Sequence, residues 1–196
     1  HGGTYGISWR SGDHFIERAP SNKFYSWGWR FPAYRLDESQ VEPMPILPHF
    51  FNYRRDLTSK IDSEKILFAS DSMREVLREF GGISNDPYNR DQYFEDQLAF
   101  YERLPAPLRA KLHIRVGELS RSPHQDRYIQ TWKHRHPLIR FDNRNVDFRV
   151  SLRQSKLLIV DHLSTTWLES LMMNVPTIIF INDDYYDFTP EFRDIF

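Results

Sequence analysis

Residues 157–180 place the tightest limit on the fold of this chain. Leu157-Leu158-Ile159-Val160 is an apolar run without alternation, the pattern of a strand covered on both faces, as in parallel sheets. The run stops at Asp161-His162. Ser164-Thr165-Thr166 then opens a helix over about 166–173, and Asn174-Val175-Pro176 leads into a second strand at 177–181. A strand, a helix and another buried strand in succession belong to a parallel sheet flanked by helices.

The same alternation extends upstream. Lys65–Ala69 reads as a buried strand, followed by Ser70-Asp71-Ser72 and a short helix from Met73 to Phe80 that Gly81-Gly82 stops. Tyr93, Phe94, Leu98 and Tyr101 fit helical spacing and predict a long helix from Arg90 to Leu104, ended by Pro105 and Pro107. Leu108–Ala110 adds a turn. Strands are expected at Leu112–Val116 and Leu138–Phe141, helices at Asp126–His134 and Val146–Ser155, and a further helix starts near Pro190. The fold class is therefore α/β, a Rossmann-like parallel sheet flanked by helices, over residues 63–196. Residues 1–62 differ in character. They are irregular and rich in aromatics, glycine and proline, with short strands expected at Phe24–Trp27 and Pro45–Leu47.

Composition narrows the function classes. A formal net charge of −1 offers no field to steer nucleic acid or an anionic membrane. No run of about 18 apolar residues exists, so no membrane span is expected. The chain has no cysteine, which removes disulfides and thiolate metal sites and fits a reducing, cytoplasmic compartment. It begins at His1 and ends at Phe196 within an unfinished amphipathic segment, so the expectation is a piece of a longer protein.

Ser164, Thr165 and Thr166 are the foremost site candidates. Three hydroxyls at a helix N-terminus, where backbone N–H groups lack partners and the dipole is positive, suit a phosphate. A cap alone also accounts for part of the pattern, because Thr166 and Glu169 have capping-box spacing, worth about 1 kcal/mol. Glu169, one turn into the helix, is placed to accept from ribose hydroxyls or to take part in that cap. Asp161 and His162 end the strand where ligand-positioning groups collect in open α/β sheets, with loop capping or packing as the plainer roles. Ser70, Asp71 and Ser72 form a second strand-end loop, either on the rim of the same cleft or capping the helix after it. Arg115 is a charge inside an apolar strand. It either pairs with a carboxylate or meets an anionic ligand.

His1-Gly2-Gly3 combines a candidate general base with glycines that let the backbone approach a ligand closely. No Gly-x-Gly-x-x-Gly or Gly-Lys-Ser/Thr fingerprint is present. His124, Lys133, His134, Arg135 and His136 form a basic cluster without metal-ligand spacing, read as a solvated helix end, and no metal site is expected. Trp27 and Trp29 suit stacking on a sugar or base, or packing on the sheet.

Four segments together go further: His1-Gly2-Gly3-Thr4-Tyr5-Gly6, Tyr25-Ser26-Trp27-Gly28-Trp29, Asp161 to Glu169, and Asn174 to Phe180. In this order they resemble a bacterial family of surface-carbohydrate transferases of the lipopolysaccharide or capsule type. That family is similar to GT-B glycosyltransferases and, distantly, to CDP-glycerol glycerophosphotransferases. The resemblance implies the C-terminal, donor-binding half of a GT-B enzyme. Residues 1–62 then lie at the interdomain cleft, residues 63–196 form a donor-binding domain cut short at its C-terminus, and the acceptor domain precedes His1. It implies that Ser164, Thr165 and Thr166 hold the donor phosphates, that Glu169 contacts the ribose and that His1 is the base in the His1-Gly2 segment. From their own places in the chain, Arg115, Ser70 and Ser72 are expected to join the phosphate site, Asp161 the nucleoside site, and Gly2, Gly3, Asp71 and His162 the cleft. Arg115 departs from the relatives, since Val116-Gly117 follows it where they carry His-Pro or Tyr-Pro.

The expected reaction is transfer of a sugar from a nucleotide-activated donor to a surface glycan or lipid-linked glycan, with no cofactor beyond that substrate and no nucleic acid. Peripheral attachment at the inner membrane face stays open. Two other readings also remain: a nucleotide-sugar epimerase, and a non-catalytic module that binds a nucleotide or a partner.

Overall fold

The computed structural model describes residues 22–26, 40–44, 64–70, 90–117, 123–182 and 188–193, without the side chains of 90, 123–126 and 191. Its centre is β3 (Ile66–Ser70), buried at all five positions because a helix layer covers each face. After β3 come α1 (Arg90–Arg103), the short α2 (Ala106–Arg109), β4 (Leu112–Val116), α3 (Pro123–Arg135) and the two-residue β5 (Arg140–Phe141). The chain then returns through α4 (Phe148–Arg153) to β6 (Leu157–Val160), α5 (Thr165–Met172), β7 (Thr177–Ile179) and α6 (Pro190–Arg193). The strand order is β5-β4-β3-β6-β7, and every pairing is parallel. This is the expected Rossmann-like α/β arrangement.

Side-chain alternation explains how the two layers assemble. Ile66 and Phe68 point to one face with Leu112, Ile114, Val116 and Ile159, where they meet Leu98 and Tyr101 of α1 and Tyr128 and Trp132 of α3. Leu67, Ala69, Leu158 and Val160 point to the other face and meet Leu152 and Met173. Trp132 is fully buried, with Phe94 and Tyr101 edge-on at 5.7 and 5.6 Å between ring centroids. Helices α1 and α3 thus cover one face, and α4 and the end of α5 the other. The winding reverses between β3 and β6, so the crevice beyond the carboxyl ends of those two strands is where a doubly wound sheet receives a ligand.

Several boundaries shift from the sequence expectation for local reasons. The strand expected from Leu138 begins at Arg140, because residues 137–138 form a turn that leaves Leu138 93 % exposed. Helix α4 starts only after Asp147, whose carboxylate accepts the Arg149 N–H at 2.8 Å and caps it. Asn174 ends α5 in the left-handed region at φ 54°, a conformation asparagine tolerates. The Val175 and Asn174 amides donate back to the carbonyls of Ser170 and Leu171, a Schellman closure.

Strand β1 (Phe24–Ser26) pairs in parallel with β2 (Val41–Pro43). The expected strand at 45–47, the helix at 73–80, and Trp27 and Trp29 lie outside the described residues. Among the described residues, no helix is long and apolar enough to cross a membrane.

Candidate functional site

Three segments reach the carboxyl edge at the reversal point: the end of β3, the end of β6, and the start of α5. Ser70 closes β3 and Asp161 follows β6, both facing α1 and α3. Gln97 of α1 comes down between them. Its Nε2 donates to Asp161 Oδ2 at 2.5 Å and to Ser70 Oγ at 3.0 Å, and its Oε1 accepts from the Tyr128 hydroxyl at 2.5 Å. Ser70 Oγ and Tyr128 OH are 2.9 Å apart, which closes a ring of hydrogen bonds. Gln97, Ser70 and Asp161 are 0, 1 and 2 % exposed. Polar groups so deep in a sheet crevice persist only because each meets a partner. The second oxygen of Asp161 lies 2.8 Å from His162 Nδ1.

His162 leads directly into α5, since its carbonyl accepts the Ser164 N–H at 3.2 Å. Ser164 is the N-cap. Its Oγ accepts the Thr166 N–H at 3.3 Å and lies 2.6 Å from the Thr166 hydroxyl. The capping box expected between Thr166 and Glu169 does not form: the cap stands two residues earlier, and Glu169 Oε1 accepts instead from Arg149 Nη2 at 3.2 Å. Ser164, Thr165 and Thr166 are all half-buried at the helix opening.

Glu169 lines a polar cleft of about 500 Å³ together with Arg144, Asn145, Asp147 and Arg149. A second cleft of about 500 Å³ runs beside α1, lined by Tyr93, Gln97, Phe100, Asp161, Phe180 and Asn182 among others. Asp161 and Gln97 connect the ring to this second space.

Ser70 and Arg115 stand apart from the helix opening in their bonding. The Ser70 hydroxyl is committed within the ring. Arg115 donates to Asp142 Oδ2 at 2.8 Å, Ser151 Oγ at 3.3 Å and the Val146 carbonyl at 2.9 Å, and Lys65 Nζ holds the other Asp142 oxygen at 2.6 Å. Of the two roles open to Arg115 in the sequence, the structure shows pairing with a carboxylate. Burial alone would raise the Asp142 carboxyl, but hydrogen bonds from Lys65, Ser151 and Arg115 outweigh it and hold the group below its ordinary range.

His1, Gly2, Gly3, Asp71 and Ser72 lie outside the described residues. In the basic cluster, Lys133, His134 and Arg135 are exposed at the end of α3, and Arg135 pairs with Glu95 at 3.1 Å. No group of three or more metal-ligating side chains occurs among the described residues.

Sequence reading passed over Gln97, Tyr128, Arg144 and Arg149. Gln97 left one signal, a polar residue inside the apolar stripe of Tyr93, Phe94, Leu98 and Tyr101. The two arginines left none, because the bend of the 142–147 loop alone brings them beside α5. Comparison with curated proteins and with solved structures returns no match. The model of the LIC12162 family transferases matches residues 1–196, and the chain belongs to that family of transferases.

Proposed function

We propose that this transferase moves a sugar or sugar-like group from a nucleotide-activated donor to a hydroxyl of a surface glycan. The donor phosphates rest against the opening of α5 at Ser164, Thr165 and Thr166. The ribose reaches Glu169, about 6 Å beyond Thr165 at 1.5 Å per residue. Arg144 and Arg149 border that cleft and take over the cationic role expected of Arg115. The observation that carries this reading is the shared location: a hydroxyl-rich helix start lies about one turn before Glu169, which lines a two-arginine cleft, at the ligand edge of a doubly wound sheet. Charge that accumulates on the leaving phosphate then meets preorganised donors, which lowers the barrier without rearrangement.

Isothermal titration of the whole chain with CDP, UDP, GDP and CMP tests this. One nucleotide should bind. Changing Ser164 to Ala together with Thr165 and Thr166 to Val should weaken it by about tenfold, equivalent to about 1.4 kcal/mol. Arg149→Met should weaken it as well. Failure of every nucleotide to bind, or equal binding by the triple variant, removes the reading.

A further inference from the structure

The basic cluster at the end of α3 lies on the amino edge of the sheet, opposite the crevice. Two connections meet there, one from α1 through α2 to β4 and one from α3 to β5. Strands β4 and β5 pair in parallel with His113 beside Arg140, which brings the turn at 137–138 alongside Lys111. The Lys111 amide donates to the Leu108 carbonyl at 3.0 Å and so fixes α2 at the same corner. Side chains join the two connections as well. The Arg109 guanidinium lies 5.9 Å from the centre of the Tyr101 ring, and that ring meets His136 at 4.8 Å.

Two properties coincide at this corner. Leu138 in its turn is 93 % exposed, and Leu108 on α2 is 40 % exposed. One exposed leucine is ordinary on any protein surface, but here both stand among cations. Residues 133–141 hold Lys133, Arg135 and Arg140 without an Asp or Glu, and residues 102–111 hold Arg103, Arg109 and Lys111 against Glu102. Glu64 pairs with Lys111 and Glu95 with Arg135, and Glu102 lies beside His136. Arg103, Arg109, Lys133 and Arg140 pair with no carboxylate among the described residues. The formal net charge of −1 therefore conceals a local excess of positive charge, which acts over about 8 Å at physiological salt.

We propose that this corner is a docking surface for a bilayer rich in anionic lipid. Leu138 and Leu108 enter the boundary between headgroups and acyl chains, and the surrounding cations meet the lipid phosphates. Lysine and arginine suit that depth, because their stems are apolar and their charged ends reach outward to the phosphates. Nucleic acid would engage the same cations but would leave Leu138 in water, so the exposed leucine favours the lipid surface. The inference goes beyond donor binding and does not depend on it. Strand β3 spans about 16 Å at 3.3 Å per residue, so a bilayer at the amino edge leaves the crevice at the other edge uncovered.

Co-sedimentation of the whole chain with vesicles tests this, using phosphatidylcholine alone and an equal mixture of phosphatidylcholine and phosphatidylglycerol. The protein should pellet with the mixed vesicles only, and added sodium chloride should weaken the binding. Leu138→Ser should lower the partition by about tenfold through the loss of one inserted leucine, and Leu138→Trp should retain it. Lys133→Gln combined with Arg140→Gln should lower it by about tenfold or more. Val150→Ser, which removes an exposed apolar side chain on α4 instead, should leave the partition unchanged. These positions are all exposed, so thermal unfolding of each variant should match the wild type. Absence of binding to the mixed vesicles, equal binding to the neutral ones, or a Leu138→Ser partition equal to wild type overturns the proposal. Tight binding of poly(U) together with that unchanged Leu138→Ser partition would assign the surface to nucleic acid instead.

Discussion

The guanidinium of Arg115 sits in a strand whose neighbours are Leu112, His113, Ile114 and Val116, and it is tolerated there because the Asp142 carboxylate pairs with it, while Lys65 holds the other Asp142 oxygen. Taking two ions out of water costs several kcal/mol each, so such a cluster stabilises only while it is complete. Arg115→Met leaves the buried Asp142 with Lys65 and Ser151 but without its guanidinium partner and should cost about 3–5 kcal/mol, read as a lower urea midpoint. Nucleotide affinity measured below that midpoint should be unchanged, since Glu169, Arg149 and Arg144 border the cleft instead. A variant that keeps full stability but loses nucleotide would return Arg115 to the phosphate. The same reasoning shows why a charge within an apolar strand could be noticed in sequence but not assigned. Its carboxylate partner lies 27 residues away on the loop after β5.

At the level of elements, strands were the readable part. Leu157–Val160 was legible to the residue because burial on both faces leaves an unbroken apolar run. The hydrophobic pattern overextends β5 and α4, because the turn at 137–138 and the Asp147 cap are set by local backbone and side-chain hydrogen bonding that apolar periodicity does not register. Helix α5 was found with its cap misplaced. Thr166 and Glu169 have the spacing of a reciprocal cap, but Arg149 draws Glu169 away and Ser164 takes the position. This has a measurable consequence. Ser164→Ala should destabilise the protein by about 1 kcal/mol and Ser164→Gly by only a few tenths, whereas Thr166→Ala should cost less than Ser164→Ala. Thermal unfolding of the three variants checks the order. A larger loss at Thr166 would put the cap back where the spacing first indicated.

Across the whole molecule, two titratable groups on neighbouring elements, the half-buried His113 and the buried Asp142, make stability depend on acid in two stages. His113 in β4 stands opposite Arg140 of β5. Burial, then the charges of Lys65 and Arg140, hold its imidazole below the ordinary value of 6.5, with Asp142 pulling weakly the other way. The folded protein therefore binds this proton less readily than the unfolded chain. The stabilisation is complete above pH 6.5 and declines as pH falls from there towards the folded value. Asp142 is also lowered, from an ordinary 3.8, because its hydrogen bonds from Lys65, Ser151 and Arg115 outweigh the cost of burial. Its contribution is present above pH 3.8 and is lost as pH falls through the folded value. The two windows do not coincide, since a lowered imidazole begins to act where carboxylates are still fully ionised. Urea midpoints collected from pH 8 to pH 3 should fall first below about 6.5 and again below about 4. His113→Gln should flatten the first decline and leave the second, because glutamine keeps a polar side chain at that position without a proton to gain. A midpoint that holds level between pH 6.5 and pH 5 in the wild type, or an equal decline in His113→Gln, would show that His113 does not couple protonation to the sheet.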